Sequence, residues 1–149
     1  MRERYYSEAF DEYKKRLGSY CRLDVTELQE VRLPDNPSSQ EIKNALAAEG
    51  ISIQKSIPAG AHVVALCVEG KQMPSEKMAE LIAERENSGR PKLCFIIGGS
   101  YGLADDIKNK ADLKLSMSQM TFPHHLARVM LIEQVYRGFK ILEGSAYHK

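Results

Sequence analysis

The stretch AHVVALCVE, residues 61–69, decides the fold class of this 149-residue chain. It is apolar at almost every position, which is typical of a strand buried on both faces in a parallel sheet. KLCFIIGG at 92–99 is a second stretch of this kind, and LKLSMS at 113–118 predicts a short third strand. Pro74 and Ser75 open a predicted helix between the first two, and Gly89 closes it. Strands that alternate with helices predict a single α/β domain, over residues 1–149, with a mainly parallel sheet.

The N-terminal third predicts two helices and one more strand. Aromatic and aliphatic residues recur at helical spacing from Tyr6 to Leu17, and Gly18 is placed to end that helix. RLDVTEL at 22–28 alternates well enough for a strand. Ser38 and Glu41 have capping-box spacing, so a helix should start there and run to about Ser56. The alternative ends this helix at Gly50 and makes ISIQ, residues 51–54, a short strand.

The last predicted helix, from about Pro123 to Glu143, is apolar almost all round. A surface helix of a monomer should show one apolar stripe and one polar face. The pattern therefore favours a helix covered from two sides, by its own sheet and by a partner subunit, and a twofold homodimer is the simplest arrangement. The alternative is a central helix in a monomer.

Charge and composition limit the kind of partner. The net charge of +1 is far too small for a protein that coats DNA, so any RNA contact requires a local positive patch. No apolar run approaches the length of a membrane span, and MRERYYSEAF has no signal-peptide core, which predicts a cytoplasmic protein. Cys21, Cys67 and Cys94 have no C-x-x-C spacing and are expected to be reduced thiols. The histidines show no metal-ligand spacing, so we expect no metal.

Three unusual stretches follow the predicted strands, where ligands bind in open α/β sheets. They are LCVEGK at 66–71, IIGGSYG at 96–102 and SMSQMTFPHH at 116–125. GGSYG is neither a dinucleotide fingerprint nor a phosphate loop, so it is a tight turn or a ligand loop. SMSQMTFP either grips a polar ligand with its hydroxyls and amides or is a buried connector.

The chain closes on Tyr147, His148 and Lys149. These side chains offer an aromatic face, a group that titrates near neutral pH and a fixed positive charge. These residues either contribute to a functional site or form a solvated tail.

Taken together, several of these segments resemble the bacterial ribosomal large-subunit pseudouridine N3-methyltransferases of the SPOUT class. The resemblance covers nearly the whole chain in the right order. The segments are RERYYSEAFDEYKKRLG at 2–18, LCVEGKQMPSE at 66–76, FIIGGSYGL at 95–103, LSMSQMTFPHHLARVMLIEQVYRGFKI at 115–141 and AYHK at 146–149.

The resemblance implies an α/β fold with a C-terminal trefoil knot, S-adenosylmethionine as cofactor, and a homodimer. It also implies methyl transfer to N3 of a pseudouridine in 23S rRNA, with the assembled ribosome as substrate. Members of that family carry a β-strand and a VGK turn ahead of the segment matching RERYY, and we expect this sheet to lack that strand. The competing class is a non-catalytic RNA-binding or ribosome-assembly module of the same fold.

The resemblance and the chemistry of the side chains together name the candidate site residues. Tyr147 and His148 are expected to position the target base or assist its deprotonation. Phosphate contacts are expected from Arg128, Arg137, Lys140 and Lys149. The resemblance implies cofactor contacts at Leu66, Gly98, Gly99, Ser118, Gln119, Met120, Thr121, Phe122 and Pro123.

Overall fold

A computed structural model describes residues 3–144 and Tyr147. Except for the predicted strand at 22–28, which the described residues do not form, its elements follow the predicted order, and a short helix at 105–110, α4, is an addition that the sequence did not predict. The elements are α1 (Arg4–Leu17), α2 (Ser39–Ser56), β1 (His62–Lys71), α3 (Ser75–Asn87), β2 (Leu93–Ile96), α4 (Asp105–Lys110), β3 (Leu113–Leu115) and α5 (His124–Leu142).

Within the described residues, the sheet has three parallel strands in the order β2-β1-β3. Val64 in the central strand pairs with Phe95 on one side and with Leu113 on the other. Val64 and Ala65 are both completely buried. The continuous apolar run at 61–69 is therefore the centre of the fold, and the predicted α/β class with a parallel sheet is confirmed.

Helices cover the sheet on both faces, which is why β1 needs apolar residues at consecutive positions. On one face Val64 and Leu115 pack against Met78 and Ile82 of α3 and Leu131 of α5. The other face is covered mainly by α4 and by the C-terminal half of α2, through the residues Ala65, Ile96, Leu103, Ile107, Ile53 and Ile57.

The capping box of α2 forms as predicted. The backbone N–H of Glu41 donates to Ser38 Oγ over 3.1 Å, and the Ser38 N–H donates to Glu41 Oε1 over 3.0 Å. The helix then continues through Gly50 to Ser56. The alternative of a short strand at 51–54 is therefore wrong.

Replacing Gly50 with alanine is expected to stabilise the protein by about 0.5–1 kcal/mol, because a mid-helix glycine costs that much relative to alanine. A methyl group fits, since a β-carbon at Gly50 would lie 3.5 Å from Ala104 Cβ and 3.5 Å from Ile107 Cγ1, ordinary contact distances. Urea unfolding of both proteins measures the difference. Gly138→Ala is the contrasting variant, because its β-carbon would lie only 2.7 Å from Ile82 Cδ1. A destabilised Gly50→Ala would contradict the prediction.

The predicted strand RLDVTEL is wrong, because residues 21–34 carry no regular secondary structure. A strand needs a partner for its backbone groups, and no described strand pairs with this segment. Side chains hold it instead. Glu49 Oε2 accepts from the Val31 N–H over 2.7 Å, and Glu27 pairs with Arg128 over 2.8 Å.

Helix α5 lies between α3 and α1 of its own chain. Gly138 lets α5 approach Ile82 of α3 closely. On the α1 side, the Tyr13 and Tyr136 rings are 6.0 Å apart, and Tyr20, just beyond α1, stacks on Phe139 at 5.4 Å. The prediction of two covered sides is correct, and within the chain α1 covers one of these sides. The apolar pattern alone thus gives no reason for a dimer, which stays a prediction from the resemblance.

Candidate active site

The parallel sheet brings the ends of its three strands, and so the three unusual stretches at 66–71, 96–102 and 116–125, to one side of the molecule. The carboxyl ends of parallel strands meet at the same edge of a sheet, where ligands of α/β proteins bind. Leu66 is the first β1 residue beyond the stretch paired with β2, and it pairs with Leu115 at the end of β3. Gly98 and Ser118 follow β2 and β3 by only a few residues. The predicted cofactor contacts therefore share one edge.

The loop after β2, residues 97–104, which we call the glycine loop, folds back tightly on itself. The Gly102 N–H donates to the Gly99 carbonyl over 3.1 Å, and Gly102 has a φ of +83°. A β-carbon on Gly98 would lie 2.5 Å from the backbone carbonyl of Gly102, so only glycine fits there without a backbone shift. At Gly99 the Glu30 carboxylate occupies the space that a side chain would need. No local pattern in the sequence indicates that Glu30, in the segment 21–34, contacts Gly99.

The loop after β3 is ordered by its own serines. Ser116 is 3% exposed, and its hydroxyl donates to the Ser118 carbonyl over 2.9 Å. The Ser118 hydroxyl accepts from the Met120 N–H over 3.0 Å. The Met120 side chain is nevertheless 72% exposed, and Phe122 is half-buried. This loop combines an inner turn held by hydrogen bonds with an exposed apolar tip. It is therefore neither a fully buried connector nor a loop whose polar groups are all free to bind a ligand.

A cavity of about 470 Å³ opens beside this loop, between α1, α3 and α5. A second cavity, of about 410 Å³, lies against the glycine loop and residues 30–35. The predicted cofactor residues do not line the first cavity, although Ser116 and Met117 connect it to them. Its lining residues include Tyr13, Met73, Ser75, Met117, Met130 and Glu133.

The C-terminal tyrosine lies on α5 rather than in solvent. Its hydroxyl donates to Glu133 Oε2 over 3.0 Å, and the Arg137 guanidinium lies 4.9 Å from its ring centroid. Its ring meets the edge of Tyr136 at 5.0 Å. Burial, reinforced by hydrogen bonds with Tyr13 and Glu133, raises the pKa of Tyr147 well above its ordinary value. Tyr147 is thus a neutral hydrogen-bond donor at physiological pH, while His148 and Lys149 lie outside the described residues.

The α5 cations predicted to contact RNA are engaged with carboxylates. Arg128 pairs with Glu27 over 2.8 Å, Arg137 pairs with Glu133 over 3.0 Å, and Lys140 lies 3.3 Å from Glu143. Their side chains are 22%, 24% and 18% exposed, respectively. The Glu133–Arg137 pair has i,i+4 spacing and could have been found in the sequence. The Arg128–Glu27 pair joins residues 101 positions apart and could not.

The Glu27–Arg128 pair predicts a pH-dependent contribution to stability. The Arg128 hydrogen bond holds the pKa of Glu27 below its ordinary value. The contribution is therefore present above the unfolded pKa of about 4.3 and lost as pH falls through the lower folded value. We expect Glu27→Gln to lower the unfolding free energy at pH 7 by at most about 1 kcal/mol, because the pair is partly exposed. The difference should shrink as the pH falls through this window, and it should be smaller at pH 3 than at pH 7.

Urea unfolding at both pH values measures this difference. Asp24→Asn is the control, because Asp24 pairs with Arg22 in a much more exposed position. An equal effect of Glu27→Gln at pH 7 and pH 3 would rule out the ion pair as its cause.

The sequence also led to expectations about metal-ligating side chains, membrane-spanning helices and the state of the cysteines, and the structure describes each of them. Within residues 3–144 and Tyr147, no group of three or more His, Cys, Asp or Glu side chains could hold a metal ion. In that same part of the chain, no helix has the length and apolar character needed to cross a bilayer. The three cysteines are free and half-buried.

The fold and its loops define the class of protein. The chain belongs to the SPOUT methyltransferase family, since the family described as "Predicted SPOUT methyltransferase" matches residues 1–148. This confirms the resemblance found in the sequence.

Individual relatives carry a more specific name, "Ribosomal RNA large subunit methyltransferase H". The protein of that name from Bacillus pumilus is 44% identical over 149 residues, all of this chain and 94% of that protein. Its counterpart in Clostridium kluyveri is 46% identical, and that in Clostridioides difficile is 42% identical, with the same coverage.

Proposed function

We propose that this chain is an S-adenosylmethionine-dependent methyltransferase that methylates N3 of a pseudouridine in the 23S rRNA of the assembled ribosome. The observation that carries the proposal is the match, along the whole chain, to proteins named as large-subunit ribosomal RNA methyltransferases. The topology supports it, because the loops expected to hold the cofactor begin at the carboxyl edge of the parallel sheet, where ligands of α/β proteins bind.

The residues at this edge fit S-adenosylmethionine. The adenine ring needs apolar walls, which the exposed Met120 and the half-buried Phe122 offer. The hydroxyl of Thr121 and the backbone of the same loop offer hydrogen bonds to the ribose and the amino-acid end. The Glu30 carboxylate beside Gly99 adds a negative charge, which suits a ligand whose sulfur and amino group are positive. Leu66, Gly98, Gly99 and residues 118–123 would hold the cofactor.

The chemistry required of the chain is mainly orientation. When bound, the cofactor would supply a methyl group whose bond to a positively charged sulfur breaks as a nucleophile attacks in line, and a neutral thioether would leave. The pseudouridine N3 loses its proton as the new nitrogen–carbon bond forms, so residues near the base must hold it in line and receive or share that proton.

Tyr147 and His148 have different tasks in this scheme. Tyr147 stays protonated at neutral pH and donates to Glu133, so it does not serve as the base. We assign its ring the task of holding the target base by stacking. We assign His148 the task of assisting deprotonation, because imidazole is the side chain best suited to accept a proton near neutral pH.

The assembly is part of the same proposal. We infer a trefoil knot around the cofactor loops, a homodimer and a cytoplasmic location where ribosomes are available. The resemblance carries these three inferences. Light scattering is expected to give twice the chain mass of 16.8 kDa. A mass of one chain at micromolar concentration would overturn the dimer.

The decisive experiment uses ribosomes from a strain that lacks its own pseudouridine N3-methyltransferase. We expect the protein to add one methyl group to a pseudouridine of 23S rRNA only when S-adenosylmethionine is present, as mapped by mass spectrometry. Naked 23S rRNA should be a poor substrate. Absence of transfer would overturn the proposal, and calorimetry would then distinguish an RNA-binding module from an enzyme of another substrate. Failure to bind S-adenosylmethionine would identify the protein as an RNA-binding module.

A further inference from the structure

The chain folds back onto α5 after that helix ends. The Tyr147 hydroxyl donates to Glu133, 14 positions earlier in the chain, and the Tyr147 ring contacts Tyr136 and Arg137. Glu133 lies nearly three turns before Glu143, the C-cap residue of α5, which is about 15 Å along the helix axis. A tail that continued along this axis would carry Tyr147 away from Glu133. The chain must therefore reverse its direction between Glu143 and Tyr147.

Gly144 begins this reversal. It follows the C-cap residue Glu143, and its φ of +77° lies in the left-handed region that favours glycine. Its backbone N–H donates to the Ile141 carbonyl over 3.0 Å, which closes the last turn of the helix. Outside its chain neighbours, no atom of the described residues lies within 4 Å of the position that a β-carbon would take. Backbone conformation, and not space, is therefore what favours glycine here.

The helix end from which this turn starts is fixed by Tyr20, just beyond α1. The Tyr20 hydroxyl donates to the Glu143 carboxylate and accepts from Lys140 Nζ over 3.1 Å. Lys140 and Glu143 also pair over 3.3 Å. The Tyr20 ring stacks on Phe139 at 5.4 Å. These contacts tie the last turn of α5 to the rest of the chain, so the tail leaves the helix from a defined position.

We propose that Gly144 is a positioning residue for methyl transfer: its left-handed turn, at a helix end held by Tyr20, sets where Tyr147 and His148 meet the target base. This inference rests on the proposed function, because it explains how the tail of that same site is placed. Gly144 touches neither the base nor the cofactor in this scheme. It acts through the orientation of the tail, and orientation is the main contribution that this reaction requires of the protein.

The test compares Gly144→Ala with Gly89→Ala. Gly89 is the matched control, because it also follows a helix C-cap, Ser88 at the end of α3, and has a φ of +78°. Its β-carbon position is equally open. We expect similar losses of stability in urea unfolding, because left-handed backbone is about tenfold less favourable for alanine than for glycine. Only Gly144→Ala should also lose kcat for rRNA methylation, by about tenfold, with the KM for ribosomes and the affinity for S-adenosylmethionine within about twofold of wild type.

Gly144→Asn tests whether the backbone conformation is the cause of the lost rate. Asparagine adopts the left-handed conformation more readily than alanine does. We therefore expect this variant to keep most of the kcat that Gly144→Ala loses. A loss as large as that of the alanine variant, or an equal loss in Gly89→Ala, would overturn the inference.

Nuclear magnetic resonance follows the position of Tyr147 without any methyl transfer. In protein that carries ring-13C tyrosine, the Tyr147 signal is assigned by its absence from Tyr147→Phe. The Tyr136 ring, 5.0 Å away, shifts this signal from that of an exposed tyrosine. We expect the shift to shrink in Gly144→Ala and to persist in Gly89→Ala, and an unmoved signal in Gly144→Ala would contradict the positioning role. A wild-type protein that shows the shift but transfers no methyl group would instead overturn the proposed function, and this inference with it.

Discussion

Removal of Tyr147–Lys149 is expected to lower kcat/KM for rRNA methylation at least 100-fold while leaving the affinity for S-adenosylmethionine within about twofold. A 100-fold loss corresponds to about 2.7 kcal/mol of transition-state stabilisation, a reasonable loss for groups that hold the reacting base. The proposed cofactor loops should be unaffected, because the hydrogen bonds and ring contacts described for Tyr147 are with α5 and α1. Methylation assays and calorimetry measure the two quantities separately.

Single substitutions separate the contributions of the Tyr147 ring and of its hydroxyl to this loss of kcat/KM. Tyr147→Ala should approach the truncation, while Tyr147→Phe keeps the ring and loses only the hydrogen bond to Glu133. Tyr101→Phe is the matched control, because Tyr101 is exposed on the glycine loop. Unchanged methylation after truncation would disprove a role for the tail in catalysis. Loss of cofactor binding together with activity would assign the tail to folding instead.

Replacing Gly98 with alanine is the second change for which we expect a large effect. The added methyl group would lie 2.5 Å from the Gly102 backbone, and backbone cannot move aside as the end of a side chain can. Overpacking of this kind costs about 1–3 kcal/mol. Because the displaced loop is a proposed cofactor contact, we expect S-adenosylmethionine affinity to fall about 10–100-fold, measured by calorimetry.

Gly99→Ala is the matched comparison for Gly98→Ala. Its methyl group would meet the carboxylate of Glu30, the end of a flexible side chain on an exposed segment. We therefore expect a smaller loss of both stability and affinity than at Gly98. Equal effects at the two positions would show that the loop moves as a whole and that the backbone contact is not the determining one.

The parts of the fold that sequence could predict depend on local signals. The strands β1 and β2 were visible because a strand buried on both faces must be apolar at consecutive positions. The start of α2 was visible because a serine followed three residues later by a glutamate satisfies the helix's first backbone donors. The order of the cofactor loops followed from the same strands, since each loop begins where a buried strand ends.

The remaining features depend on contacts between distant segments. The periodicity of α5 showed that two sides are covered but could not say by what, and α1 proved to cover one of them. The alternation at 22–28 had the local pattern of a strand, but pairing requires a neighbour, and no described strand provides one. Glu30 reaches Gly99 from a segment that carries no cofactor motif, so no local pattern could have indicated it.

The packing of α1 against α5 also constrains how the chain folds. It joins the first and last helices that the structure describes, and the hydrogen bond from the Tyr20 hydroxyl to Glu143 spans 123 residues. During synthesis the aromatic side chains of α1 can be buried against α5 only after α5 has been made, long after α1 itself. Contacts of such long sequence separation slow folding and prolong the exposure of apolar surface. The α1–α5 packing therefore forms late, after every strand of the described sheet has been made.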